Sequence, residues 1–252
     1  MAPLTIGLMN TSSAIAADEV ARVAAALDIQ VNRDLAPIWS TSAANGTRVI
    51  TLAPDQPVPR GVSPIIIVDE APGGVAGQHR ITQNVPWAIV STKRDWALAA
   101  SHECIELIVD PTGEATISGR GLTLVDGALH ELDERFDYLL EICDPIEDSN
   151  HAYTIDGVVV SDFYTPNYFD DAVTPGMRYS FNGAISRPRE VGRNGYLSWC
   201  DKLTKRYHQL QNFGAYAIVD LPVGDGSDAH ARAFVDRHTP TPRTHPERFN
   251  IT

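Results

Sequence analysis

The sequence predicts an α+β fold: an N-terminal mixed sheet with helices, followed by a β-rich C-terminal half. Three observations predict it. Before Pro111, short β-branched runs alternate with two long helical patterns. Beyond Pro111, glycines and short strands take over with little helix. Hydrophobic residues make up 43% of the 252 residues, enough apolar chain for a sizeable core. No long Gly-, Ser- or Pro-rich linker is present. Residues 1–111 and 112–252 are therefore expected to be two halves of one compact unit.

Each element has its own signal. Leu4–Met9 alternates weakly and reads as a strand. Ala14–Ile29 is alanine-rich with apolar residues at helical spacing. Arg48–Leu52, Pro64–Val68 and Pro86–Ser91 are short apolar runs bounded by turn residues, the pattern of buried strands. Between the last two, Gly73, Gly74 and Gly77 mark a flexible connection in which His79 reads as an exposed loop residue. Asp95 is placed to N-cap a helix that Pro111 ends, and Trp96, Ala99, Ala100, Ile105, Ile108 and Val109 recur at spacings of three and four. That helix is expected to be mostly buried.

In the second half, Gly113, Gly119, Gly121 and Gly127 predict a loop-rich stretch. Tyr138–Ile142 is a short apolar run, and Asp156-Gly157 between β-formers predicts a two-residue hairpin. Arg178–Ile185 and Tyr196–Trp199 read as strands, Asp225–Asp236 as a last helix, and the final 14 residues as irregular. Trp87, Trp96 and Trp199 read as core.

Charge and cysteine content narrow the function classes. Twenty Lys and Arg face 32 Asp and Glu, for a formal charge of −12. A surface this acidic repels phosphate backbones, so no nucleic-acid partner is expected. Three cysteines are too few, and odd in number, for a disulfide framework, which fits a reducing compartment. No stretch approaches the ~18–20 apolar residues of a membrane span. The N-terminus lacks the basic segment and cleavage pattern of a secretory signal. A soluble cytoplasmic protein is the expectation, with other export routes left open.

The chemistry concentrates in Ser101-His102-Glu103-Cys104-Ile105-Glu106. On a helix, residues four apart stack on one face, so His102 and Glu106 can share one cation. Glu103 is turned about 100° from His102 and can reach a water on that cation. Apolar neighbours surround the motif, and buried carboxylates need compensation, for which a cation is the simplest partner. Downstream, Glu141-Ile142-Cys143-Asp144 supplies more carboxylates, with Glu147 and Asp148 beyond and Pro145 stiffening the turn. Cys104 lies between two glutamates that disfavour a thiolate and reads as a packing residue. Asp162 reads as closing the hairpin strand.

SHECIELIVDP followed by LLEICDP resembles a zincin-like group of bacterial and phage sequences. That group carries S-H-E-x-x-E-x-x-x-D-P and then E-I-x-D-x-C; the plant phosphate-induced (exordium-type) proteins carry a related pattern. GGVAGQH before PWAIVS, and SDFYTP, also look typical, so the resemblance covers roughly Pro64–Phe169. One departure is that Cys143 precedes the aspartate instead of following it. The resemblance implies a zincin-like fold and a metal-dependent hydrolase, most simply a peptidase acting on a peptide or protein. His102 and Glu106 would be helix ligands, Glu141 or Asp144 the third, and Glu103 the general base that takes a proton from the attacking water.

Zn²⁺ is the cofactor the group implies. One imidazole among carboxylates is a harder donor set, which also suits Mn²⁺, Fe²⁺ or Ca²⁺. The oxyanion of such a reaction needs a further donor, and Tyr153, Tyr164, Tyr168, Tyr179 and His151 all qualify. The alternative is a non-catalytic protein of the same fold whose structural cation serves binding or assembly.

Overall fold

A computed structural model describes residues 4–39, 46–82, 85–201 and 206–221, with Val235 and Thr239. The fold is mixed α+β and β-rich. The first sheet runs in the order β2-β1-β3-β5-β4, built from β1 (Thr5–Asn10), β2 (Arg48–Leu52), β3 (Val62–Val68), β4 (Gly77–Thr82) and β5 (Val85–Ser91). Its first four members are parallel, and β4 closes one edge antiparallel to β5. The predicted flexible connection is thus partly a strand. Its glycines leave a 3₁₀ turn at Pro72–Gly74, with Gly73 at φ 76°, and the chain then pairs from Gly77 onward.

Helix α1 (Ala17–Ile29) buries Val20, Val23, Ala24, Ala26 and Leu27, a stripe at helical spacing. It runs on through a π-helical turn, Gln30–Leu35, into α2 (Ala36–Trp39). The wider turn places Gln30, fully buried, inside the protein, where it meets Ser101 and Ser161. Helix α3 (Trp96–Val109) starts where Asp95 accepts from the Leu98 amide and packs on β3, β4 and β5. Eleven of its fourteen residues are buried, as its apolar pattern predicts. Each fully buried aliphatic side chain there contributes roughly 1.5–3 kcal/mol. No helix among the described residues is long and apolar enough to cross a membrane.

The second sheet is antiparallel in the order β12-β11-β10-β7-β6. Its members are β6 (Thr116–Val125), β7 (Ala128–Leu139), β10 (Tyr196–Cys200), β11 (Tyr207–Asn212) and β12 (Tyr216–Asp220). The expected loop-rich stretch is in fact the long β6–β7 hairpin. Asp126 and Gly127 turn it with φ of 51° and 76°, the left-handed pair that suits strand twist. Gly119 and Gly121 sit inside β6 because a Cβ there would press on the rings of Tyr138, Phe169 and Phe136. The predicted Asp156-Gly157 hairpin is present between β8 (Tyr153–Ile155) and β9 (Val158–Val160).

Arg178–Ile185 is not a strand. It pairs only at Ser180 with Tyr164, then turns at Gly183. Trp96 and Trp199 are buried as expected, whereas Trp87 is half-buried and donates to Thr82. Apart from Val235 and Thr239, the helix expected over Asp225–Asp236 and the tail lie outside the described residues. One hydrophobic core runs from Ile6 through α3 to Leu210, joining residues of both halves.

Candidate metal centre

Helix α3 carries His102 and Glu106 on successive turns of one face. His102 Nε2 lies 3.2 Å from Glu106 Oε2 and 3.1 Å from Asp144 Oδ1. Asp144 stands there because the chain leaves β7, crosses beneath α3 and tightens into a 3₁₀ turn, Asp144–Ile146, with Pro145 fixing the backbone. The Cys143 amide donates to Glu106 Oε1 at 2.9 Å and pins the segment to the helix. Gly192 and Gly195 come close on the other side. The Gly192 amide donates to the Pro145 carbonyl at 2.8 Å, and a Cβ at Gly195 would lie 2.5 Å from that oxygen. Two glycines thus let the 192–195 segment press directly on the acidic turn.

Three sets of donor atoms overlap here: Glu106 with Glu141 and Asp144, His102 with Asp144 and Glu147, and His79 with Glu103 and Glu106. Within each set the atoms lie within 4.8 Å of one another. The four expected ligand residues thus fall in two overlapping sets, Glu106, Glu141 and Asp144 in one and His102 with Asp144 in the other, and both Glu106 and Asp144 lie against His102. Glu103 turns toward β4, where its Oε2 lies 3.6 Å from His79 Nδ1. His79 corrects the expectation of an exposed loop residue: it is 1% exposed, on a strand covered by α3. Gly77 opens the space for Glu103, since a Cβ there would lie 2.6 Å from Glu103 Oε1.

Sequence reasoning passed over His79 and Glu147 as site residues. The only sequence signal for His79 was its place in the segment before β5 that the family resemblance singled out. Glu147 had its nearness to Asp144.

Electrostatic stress is visible in the site. Burial pushes the Glu147 carboxyl up to about 8, with the charge of Asp144 adding to it. Burial by itself would lower the His102 pKa, but Glu106 and Asp144 hold it well above the ordinary histidine value. The ion pairs Arg33–Asp34, Arg120–Asp133, Arg135–Asp171 and Arg189–Glu131 lie elsewhere in the fold. Cys104 and Cys143 are fully buried and burial raises both thiols, so neither is a ready nucleophile. Asp162 Oδ1 accepts from the Phe163 and Asn182 amides at 2.8 Å each, tying the hairpin exit to the 180s turn.

No family model, curated protein or solved structure matches this chain. The donor chemistry can still be tested against a cation. Ligands at ~2–2.6 Å from one ion stand about 3–4 Å apart. The His102, Glu106 and Asp144 atoms already have that spacing. The Tyr164 hydroxyl is fully buried with no hydrogen-bond partner among the described residues, and Glu141, Glu106 and Asp144 are among its charged neighbours. An imidazole, clustered carboxylates and a buried hydroxyl lacking a partner fit a divalent cation with an oxygen-rich shell.

Proposed function

We propose that this chain is a zincin-type metal-dependent hydrolase, most simply a peptidase. The observation that carries the reading is the approach of Glu106 and Asp144 to one imidazole nitrogen, at 3.2 and 3.1 Å. His102, Glu106 and Asp144 would hold the cation, with Glu141 and Glu147 beside them. A divalent cation held there supplies Lewis-acid polarisation of a carbonyl and acidifies a water. Glu103 is the general base, held between Gly77 of β4 and His79, one residue along the helix from the ligand His102. Edge strand β4, antiparallel to its neighbour and directly under α3, is the natural track for an extended peptide.

One observation favours a second reading, a structural cation in a protein used for binding or assembly. Glu103, Glu106, Glu141 and Asp144 are each at most 4% exposed, and His102, at 14%, lies at the opening. Two cavities of about 410 and 370 Å³ are lined by other residues, the first by Ile38, Thr165 and Phe181, the second by Arg22, Asp95 and Val158.

The deciding experiment is elemental analysis of the purified protein together with Glu103→Gln. In the hydrolase the variant keeps its metal and melting temperature. It loses about 10²–10⁴-fold in peptide hydrolysis, the usual worth of a positioned base. Metal without turnover in either protein, on a broad peptide library, selects the structural reading.

A further inference from the structure

We infer that the Tyr164 hydroxyl donates a hydrogen bond to an exchangeable oxygen ligand at the cation site: a substrate carbonyl oxygen, or the water that holds its place. This rests on the cation-site reading above and adds the group that recognises the ligand.

Of the five side chains able to serve as that donor, the hydroxyls of Tyr153, Tyr168 and Tyr179 have partners in the fold. The Tyr153 hydroxyl donates to Asp34 at 2.9 Å and lies 3.2 Å from Gln30 Nε2. Tyr168 donates to the Glu190 carbonyl, and the Tyr179 oxygen accepts from the Thr174 amide. The His151 ring lies against Gly192. Tyr164 alone of the five has a fully buried hydroxyl without a hydrogen-bond partner among the described residues.

Its placement is rigid. The Tyr164 amide donates to the Ile142 carbonyl at 2.8 Å, inside the Glu141–Asp144 segment. Trp39 Nε1 donates to the Tyr164 carbonyl at 2.9 Å. The ring stacks on Tyr168 at 4.4 Å and 9°, and Phe169 meets it edge-on. The phenol cannot swing away to find another acceptor. A buried hydroxyl left unsatisfied is costly, and such groups mark the place of an oxygen from water or ligand. Here the charges of Glu141, Glu106 and Asp144 bear on the hydroxyl, yet it makes no hydrogen bond among the described residues, and an oxygen held at the cation site would supply the missing acceptor. Burial raises its pKa, so it stays a neutral donor.

The test compares wild type with Tyr164→Phe. The hydroxyl has no partner among the described residues, so the cation-free variant should melt at or above wild type. A variant that fails to fold, or melts well below, overturns the inference. Both proteins are then loaded with Co²⁺ and titrated with acetohydroxamate, a small carbonyl-oxygen chelator, followed by the visible bands of the metal. The expected result is equal Co²⁺ affinity within about threefold and acetohydroxamate binding weakened about tenfold, the size of one lost hydrogen bond. Equal acetohydroxamate affinity overturns the inference, as does a wild type that holds Co²⁺ and ignores the probe. If neither protein binds Co²⁺, the cation site itself fails and the inference with it, a result distinct from the other two.

Discussion

Two neighbouring residues of α3, Ser101 and His102, face buried polar environments of opposite kinds. Ser101 lies in a satisfied network. Its hydroxyl donates to Gln30 Oε1 at 2.8 Å and accepts from the Ser161 amide at 2.8 Å, while Gln30 Nε2 donates to the Ser161 carbonyl at 2.9 Å. Every link is a neutral hydrogen bond with a clear donor and acceptor, and together they lock α3 to the π-helical turn and to the residue that follows β9. His102 opens onto crowded carboxylates: Glu106 and Asp144 raise its own pKa, and burial with the charge of Asp144 raises that of Glu147. The difference teaches what each cluster is for. A satisfied neutral network fixes position at little electrostatic cost. A buried cluster of like charges makes sense when a counter-charge arrives.

The comparison is broken most directly by Glu106→Gln. Glutamine keeps an acceptor for the Cys143 amide but removes charge from the middle of the cluster. Cation affinity, read by calorimetry, should fall about 100-fold or more, while the cation-free protein melts at or above wild type. Loss of stability without cation would mean that Glu106 serves the fold alone. Ser101→Ala should do the reverse. It leaves Gln30 Oε1 and the Ser161 amide without their partner and should destabilise the protein by about 2 kcal/mol. That loss should be the same with and without cation, as measured by urea unfolding.

Chelation sharpens the contrast further. Removing the cation should lower the melting temperature by several degrees in wild type, because carboxylates are left repelling one another. In Glu106→Gln the same treatment should change nothing. A wild-type curve that is unmoved after confirmed metal loss would count against the site.

The pH dependence has a worked sign. The folded-state pKa values of Glu147 and His102 are both raised. For Glu147, the unfolded chain ionises near the ordinary carboxylate value while the folded chain holds its proton up to about 8, so cation-free stability falls as pH rises through that window. For His102, the gain from its carboxylate neighbours is present below the ordinary histidine value and is lost as pH rises through the higher folded one. Both trends have one sign. Cation must displace these protons, so the rise in melting temperature on adding cation should grow from pH 5 to pH 8. A flat or falling difference would place the cation elsewhere.

How much of this was legible in the sequence depended on how local the cause was. The hairpin at Asp156-Gly157 was readable because two residues carry its chemistry. The same pair at Asp126-Gly127 was obscured by Gly119 and Gly121, whose reason is tertiary: rings from Phe169, Tyr138 and Phe136 press on β6. Strand β11 escaped notice because Gln209 and Gln211 look solvated. In the fold they are buried and bonded, Gln209 to Ser198 and Thr239, and Gln211 to Gln209. In the site, His102, Glu103 and Glu106 were readable from helical spacing. The contact of Asp144 with His102 was not, since it depends on how the 3₁₀ turn after β7 meets α3. The burial of His79 depends on α3 lying over β4, a contact that no local pattern encodes.

The smallest expected effect belongs to Gly77→Ala, which separates Glu103 from both clusters. Gly77 does not need a left-handed φ, so alanine is compatible with its backbone. The added Cβ would lie 2.6 Å from Glu103 Oε1 and 3.0 Å from its Cγ, so the Glu103 side chain, a flexible group, must shift by a fraction of an ångström. Neither the Ser101 network nor the His102–Asp144 contact is touched. Stability and cation affinity should therefore stay within error of wild type. If Glu103 is the general base, hydrolysis should fall about tenfold, less than the ~10²-fold that a full ångström of misplacement can cost. The KM should move little, since the cation and its ligands are unchanged. A variant whose cation affinity fell along with its rate would instead make Glu103 a ligand, acting through the donor set it forms with His79 and Glu106.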